Sequence, residues 1–269
     1  FIFALTIVNS TNMQRKFDDF IMSQVIDKYN DDLIVLGARP AIGKSTFLAS
    51  LAKILSLDND IPTVVFCPEM AKEVFVRRIL QIVLGVSRED IASDDFWDIF
   101  DNKQVDDSVA EICEKPLYID DTPAIDIEEL KRKLYTLVQE HGVKFVLIDY
   151  LQLLNTTKGT SRQENIRYIC QDLKAISKEL HLTIVLASQC RRNLTNGSNV
   201  PVPDDVSLFE SFDDVIEHTW TLYRPSYYNV FEDERGCDVS NTIELHRYNG
   251  KDFISKETFI FDKSIPRLI

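Results

Sequence analysis

Short apolar runs and longer amphipathic stretches take turns through most of this chain. Leu33 to Leu36 is strand-sized and apolar, and after a polar loop a helical pattern carries Phe47, Leu48, Leu51, Ile54 and Leu55 on one side. Before it, residues 14 to 29 place Phe17, Phe20, Ile21, Val25 and Tyr29 on one helical stripe. Further strands are expected at 62–67, 117–119, 143–148 and 182–187, and helices at 72–84, 126–141 and 162–181. Acidic helical segments run on to about Glu114, and Gly142 closes the helix before it. Beyond a polar loop at 191–206, alternation at 215–223, 241–248 and 252–261 predicts antiparallel strands. The alternation of strand and helix predicts an α/β fold, a mostly parallel central sheet flanked by helices, with antiparallel strands at the C-terminal end. The chain divides into an N-terminal extension and helix, 1–30, and one domain, 31–269.

Composition narrows the class. With 269 residues and 45% hydrophobic content the chain can bury one large core. No apolar run reaches the length of a membrane span, so no membrane association is expected. Phe1 to Val8 is apolar but lacks a basic region and a cleavage site, and does not read as a signal peptide. The chain opens on Phe1 without an initiator methionine, as a piece of a longer protein with a further N-terminal domain would. Five scattered cysteines without a C-x-x-C fit a reduced, cytoplasmic protein, and the four histidines show no metal-ligand spacing. A formal charge of −13 argues against a uniformly basic nucleic-acid coat and leaves room for a local basic loop.

The loop after the first apolar run carries the chemistry. Ala38-Arg39-Pro40-Ala41-Ile42-Gly43-Lys44-Ser45 follows the phosphate-loop pattern G-x-x-x-x-G-K-[ST], with alanine where the first glycine is called for. Gly43 lets the backbone close on a phosphate, Lys44 neutralises the β and γ phosphates, and Ser45 can hold Mg²⁺ at a helix start whose dipole favours anions. Asp149, at the end of a hydrophobic strand, has the form of the acid that completes a metal shell opposite Ser45. Glu69, after the second strand, is either a general base for the attacking water or a solvated cap on the next helix. Gln189 can touch the γ-phosphate without adding charge, or is a strand-end polar residue of no consequence.

The same segments, taken in order, resemble a known family. Ala38 to Ser45 is similar to the A-R-P-x-x-G-K-[ST] variant of DnaB-type replicative helicases, in which alanine at the first position is ordinary. Glu69-Met70, Ile119 to Pro123, Ile148 to Leu154, Ala187-Ser188-Gln189 and Tyr223-Arg224-Pro225 with Tyr227-Tyr228 look like its successive signatures. The resemblance implies a RecA-like P-loop ATPase domain that forms a hexameric ring on single-stranded DNA, using ATP and Mg²⁺ between subunits. It implies nucleotide contacts from Ala41, Ile42, Gly43, Lys44, Ser45, Thr46 and Arg78, and metal contacts from Ser45 and Asp149. Lys44, Glu69, Asp149 and Gln189 become the catalytic set, and a loader or a primase becomes a further partner.

Two segments depart from the family pattern. A K-x-R-N-G hairpin, whose cations reach the neighbouring subunit's γ-phosphate, reads here His246-Arg247-Tyr248-Asn249-Gly250. Arg247 is one residue out of phase, on the opposite strand face, and serves as a trans contact only if a bulge re-aims it. In the DNA-contacting loop, Phe209 replaces an arginine before Glu210-Ser211, and Phe212 replaces a glycine. Backbone contacts at Glu210 and Ser211 survive such changes, and Arg191, Arg192, Lys158 and Arg162 are the replacement cations at hand. Intact Lys44, Glu69, Asp149 and Gln189 favour a helicase motor. Tyr248 and Phe209 favour a divergent ATP-binding regulatory or scaffolding module with weak hydrolysis. A small-molecule phosphotransferase is disfavoured by the lack of an Arg-rich lid after the phosphate-loop helix.

Overall fold

The computed structural model describes residues 17–26, 28–87, 89–90, 102–191, 199–206, 215–262, 264–265 and 267–268. A short helix α1 (17–26, π-wound over Ile21–Ile26) leads into strand β1 (Leu33–Ala38), and helix α2 (Lys44–Ala52) follows the phosphate loop. The next elements are β2 (Thr63–Phe66), α3 (Lys72–Leu84), α4 (Asn102–Glu114), β3 (Leu117–Asp120) and α5 (Ile127–His141). Then come β4 (Phe145–Ile148), α6 (Arg162–Glu179) and β5 (Thr183–Gln189). The end of the fold is all strand: β6 (His218–Tyr223), β7 (Thr242–Asn249), β8 (Asp252–Asp262) and β9 (Arg267–Leu268).

The nine strands form one sheet in the order β3-β2-β4-β5-β1-β6-β7-β8-β9. β1 is apolar and buried along its whole length, as a strand covered on both faces must be. One expectation needs correction. β6 is not simply part of an antiparallel tail: it lies parallel to β1, from Ile34 opposite His218 to Gly37 opposite Thr221, and antiparallel only to β7. β6 therefore closes the second side of the phosphate-loop strand, and the antiparallel part begins after it.

Each sheet face has its own core. On one, Phe17, Phe20, Ile21 and Val25 of α1 pack with Phe47 of α2, Trp220 of β6 and Phe259 of β8. The helix assigned to the extension thus shares the main core of the domain. On the other face, α5 and α6 cover the alternate residues of β1, β2, β4 and β5. α5 starts where Asp126 accepts the Glu128 N–H, and ends at Gly142 in the left-handed region. With helices on both faces, the loops at the carboxyl ends of the parallel strands are what remains open.

Candidate nucleotide site

β1 delivers the chain into the phosphate loop with little freedom left. Gly37, its penultimate residue, is required by packing, because a Cβ there would run into Val206 Cγ2. The loop then reverses through Ala41 at φ 62° and Gly43 at φ 130°. At Gly43 a side chain is excluded twice, by that φ and by Phe261, whose Cε2 would stand 3.0 Å from the added Cβ. α2 begins at once, its first turn closed by the Phe47 N–H on the Gly43 carbonyl at 2.9 Å.

Four strand ends meet this loop around a cleft of about 750 Å³. Ala41, Gly43, Lys44, Ser45 and Thr46 line one side, and Glu69, Arg78, Asp149 and Gln189 line the rest. Ile42 is the exception among the loop residues named from sequence. Its side chain is buried in the core, and only its backbone serves the loop. Lys44 is 8% exposed, with Nζ 3.4 Å from the Ala38 carbonyl. Burial pushes its pKa down, and the charges of Asp149 and Glu69 oppose that.

Asp149 is the buried acid of the cleft. It is 1% exposed, and one of its carboxylate oxygens has no hydrogen-bond partner. Burial pushes its pKa up, against a bond from Ser45 and the charges of Lys44 and Arg78. A buried, half-satisfied carboxylate beside a serine hydroxyl is a hard-oxygen pair suited to Mg²⁺. The residues present therefore fit the metal that the resemblance implies.

Glu69 stands in the cleft and does not cap α3. The first N–H of that helix, at Lys72, goes to Asp121 Oδ2 at 2.9 Å. At the end of β5, the Gln189 backbone N–H meets Gln152 Oε1 at 3.4 Å, while Gln152 Nε2 donates to Ser188 Oγ at 2.9 Å. Gln152, unnamed as a site residue from sequence, fixes the backbone that carries Gln189. Arg224, Phe261, Met70, Tyr150 and Glu89 also line the cleft without having been named as site residues. Arg224 was visible in the Tyr-Arg-Pro segment. Phe261 had no local signal, since it arrives from a strand far along the chain.

The remaining residues named from sequence fare differently. Arg192, Glu210 and Ser211 lie outside the described residues, as do Phe209 and Phe212. The Arg191 backbone donates to the Asp205 carbonyl at 2.8 Å. Lys158 is engaged by Glu128 at 2.8 Å and Asp172 at 2.7 Å, which ties its loop to α5 and α6. The bulge invoked for Arg247 exists, as a register shift between Arg247 and Tyr248. It does not turn the guanidinium outward. Arg247 is 7% exposed, donates to Ser255 Oγ at 2.9 Å and Gln24 Oε1 at 3.3 Å, and lies 5.2 Å from the Phe20 ring centroid. By register it shares a face with Trp220 and Ser255, the face α1 covers, so the structure disagrees with a trans contact from this side chain.

Space brings together one cluster that spacing along the chain did not suggest. His218 lies with Asp32 and Glu217, their ligand atoms within 4.8 Å of one another. Its members are already matched, His218 to Asp32 at 2.8 Å and Lys174 to Glu217 at 3.0 Å. Among the described residues no helix is long and apolar enough to cross a membrane.

Comparison with known proteins bears on the family and the fold. The family model for the DnaB-like helicase C terminal domain matches residues 22–265. The replicative DNA helicase DnaC of Bacillus subtilis (strain 168) is 29% identical over 218 residues, covering 80% of this chain and 47% of that protein. The replicative DNA helicase DnaB of Pasteurella multocida (strain Pm70) is 31% identical over 223 residues, covering 81% and 47%. The chain thus spans about half the length of these curated relatives. Two solved structures share the fold. One is a DnaB-like replicative helicase described with its interactions with primase (TM-score 0.76, 22% identity, 90% of this chain and 58% of that one). The other is the ATPase domain of G40P (TM-score 0.74, 23% identity, 89% and 84%). The family match begins inside α1 and takes in every strand except β9, and on that extent the chain belongs to the DnaB-like helicase C-terminal domain family.

Proposed function

We propose that this chain is the ATP-hydrolysing motor domain of a replicative DNA helicase. ATP is split at the interfaces of a homo-oligomeric, hexameric ring, and each turnover moves loops along single-stranded DNA. The observation that carries the reading is the unmatched Asp149 oxygen, buried beside Ser45 and Lys44 in a cleft large enough for a nucleotide. Leaving such an oxygen without a partner costs free energy, and a bound ligand that meets it offsets that cost.

The residues divide the work by position. The loop from Ala41 to Thr46 cradles phosphates through its backbone, and Lys44 and Arg78 supply positive charge. Ser45 and Asp149 would hold Mg²⁺, which when bound neutralises phosphate oxygens. Glu69, clear of any capping duty, is the general base that takes a proton from the attacking water. Gln189 reads the γ-phosphate through an amide whose strand end is braced by Gln152. DNA contact is assigned to Arg191, Arg192, Glu210 and Ser211. A primase or a loader is the further partner, supported by the solved relative described with primase, and the setting is cytoplasmic.

The test is ATP hydrolysis with and without single-stranded DNA, alongside a native mass measurement. Lys44→Ala is expected to lower turnover by a factor on the order of 100 or more. Unchanged hydrolysis in that variant would falsify the assignment. A second reading, an ATP-binding regulatory module with weak hydrolysis, rests on one observation, the inward Arg247 beside Tyr248 at the family's arginine position. DNA-stimulated turnover at ring-motor speed removes it.

A further inference from the structure

The segment Asp120-Asp121-Thr122-Pro123, at the end of β3, has no part in the scheme above, yet it borders the stretch that carries Glu69. β2 and β3 run parallel, with Phe66 opposite Asp120. Past the end of β2 the contact continues. The Cys67 N–H donates to the Asp120 carbonyl at 2.9 Å, and further on the Lys72 N–H donates to Asp121 Oδ2 at 2.9 Å. Glu69 lies between these two anchors, on a turn closed by the Met70 N–H on the Cys67 carbonyl at 3.1 Å. The same strand end fixes Asp149, whose N–H donates to the Phe66 carbonyl at 2.9 Å. The anchoring segment is itself braced. Lys133 of α5 donates to Asp120 Oδ2 and to Thr122 Oγ1, each at 2.6 Å, and Asp120 Oδ1 accepts the Thr122 N–H at 3.0 Å.

The physics of a helix start explains the second anchor. The first N–H groups of a helix have no carbonyl within it, and a nearby side chain commonly meets one of them. Ala71, just ahead of α3, has no polar side chain for the purpose. Asp121 supplies the oxygen from another strand, with a negative charge that a helix N-terminus favours. Phe75 and Ile79 hold the body of α3 in the core, so the clamp governs its first turn and the segment ahead of it. A general base works only within hydrogen-bond reach of the water it deprotonates, and a displacement of about 1 Å is enough to lower a rate roughly 100-fold. We propose that Asp121 is a positioning residue of the hydrolytic step: its carboxylate pins the start of α3 and so holds Glu69 where water activation needs it. Asp121 itself touches no reacting atom in this scheme. The proposal rests on the nucleotide reading above, with Glu69 as its base.

The experiment is ATP hydrolysis by the full chain with single-stranded DNA, together with binding of a fluorescent ADP and melting temperatures. Asp121→Ala is expected to lower kcat about 10- to 30-fold, with KM for ATP and affinity for ADP within about twofold of the parent. Asp121→Asn, which keeps an oxygen for the Lys72 N–H, recovers kcat to within about threefold. A double-mutant cycle read by single-turnover hydrolysis is decisive. In a Glu69→Gln background Asp121→Ala should change the rate less than about twofold, because the group it positions is already gone. A kcat for Asp121→Ala within about twofold of the parent overturns the proposal, as does an undiminished loss in the Glu69→Gln background. If Asp121→Ala does not fold, Lys133→Met, which removes the brace on Asp120 and Thr122, decides through the same cycle, with an expected loss of roughly three- to tenfold. Lys44→Ala and Glu69→Gln alone separate the two levels. If both hydrolyse ATP like the parent, the nucleotide reading itself fails; if both are impaired while Asp121→Ala is not, only the positioning role is lost.

Discussion

The phosphate-loop end of the sheet and the β7–β8 hairpin treat buried charge in opposite ways. In the cleft, Asp149 keeps an oxygen without a partner and Arg224 keeps an N–H without an acceptor, although both are buried there. At the hairpin, Arg247 is met by Ser255, Gln24, Glu257 and the Phe20 ring, and Glu244 is met by both His246 at 2.8 Å and Lys256 at 3.2 Å. Glu244 shows the result: burial pushes its pKa up, but the bonds from His246 and Lys256 outweigh that and hold it low. A region that completes its own bonds is building structure. One that leaves expensive groups unmatched is waiting for something to match them.

That contrast can be broken by mutation, and the largest effect belongs to the cleft. Glu69→Gln should keep ATP binding and lower turnover about 10²- to 10⁴-fold; full turnover in a rate assay would remove Glu69 from the base role. Asp149→Asn should lower turnover about 100-fold yet raise the melting temperature of the unliganded chain. The sign follows from burial, which raises this carboxyl. A raised acid contributes stability below the ordinary carboxylate range and loses it as pH rises through the shifted value. At neutral pH the parent therefore carries a cost that asparagine lacks, and each kcal/mol relieved is worth roughly 2–4 °C. Melting curves from the acid range to neutrality check it, since the gap between variant and parent must widen as pH rises through the shifted value.

At the hairpin the expected effects are on stability. Arg247→Ala should cost about 2–3 kcal/mol through lost ring and hydrogen-bond contacts, with turnover per folded molecule within about twofold. Loss of DNA-stimulated hydrolysis at unchanged stability would instead restore Arg247 as a trans cation. Tyr248→Phe, which removes a buried hydroxyl, should cost about 1 kcal/mol in a denaturant titration and leave hydrolysis unchanged.

Much of this was legible before any coordinates, and the part that was not has a physical reason. Lys44, Ser45, Glu69, Asp149 and Gln189 sit at strand ends, where a few adjacent residues encode strand, loop and side-chain direction together. The run from 215 to 223 was read as antiparallel because alternation reports a half-buried strand and says nothing of its neighbour. β6 in fact takes a parallel place beside β1. Arg247 shows a related blindness. Period-two patterning predicted the bulge requirement, and the bulge is there, but which face α1 covers is decided by packing between distant segments. Phe261 escaped for the same reason, since it reaches the loop only through tertiary contact.

The parallel pairing of β6 with β1 bears on the order in which the molecule is made. During synthesis the motif around Lys44 leaves the ribosome early, with β5 still to come on one flank and β6 later still on the other. Until residues 218–223 emerge, the phosphate-loop strand keeps an open hydrogen-bonding edge, the kind that recruits wrong partners. Stop codons placed before β6 should therefore yield insoluble chains that fail to retain nucleotide, though every residue of the phosphate motif is present.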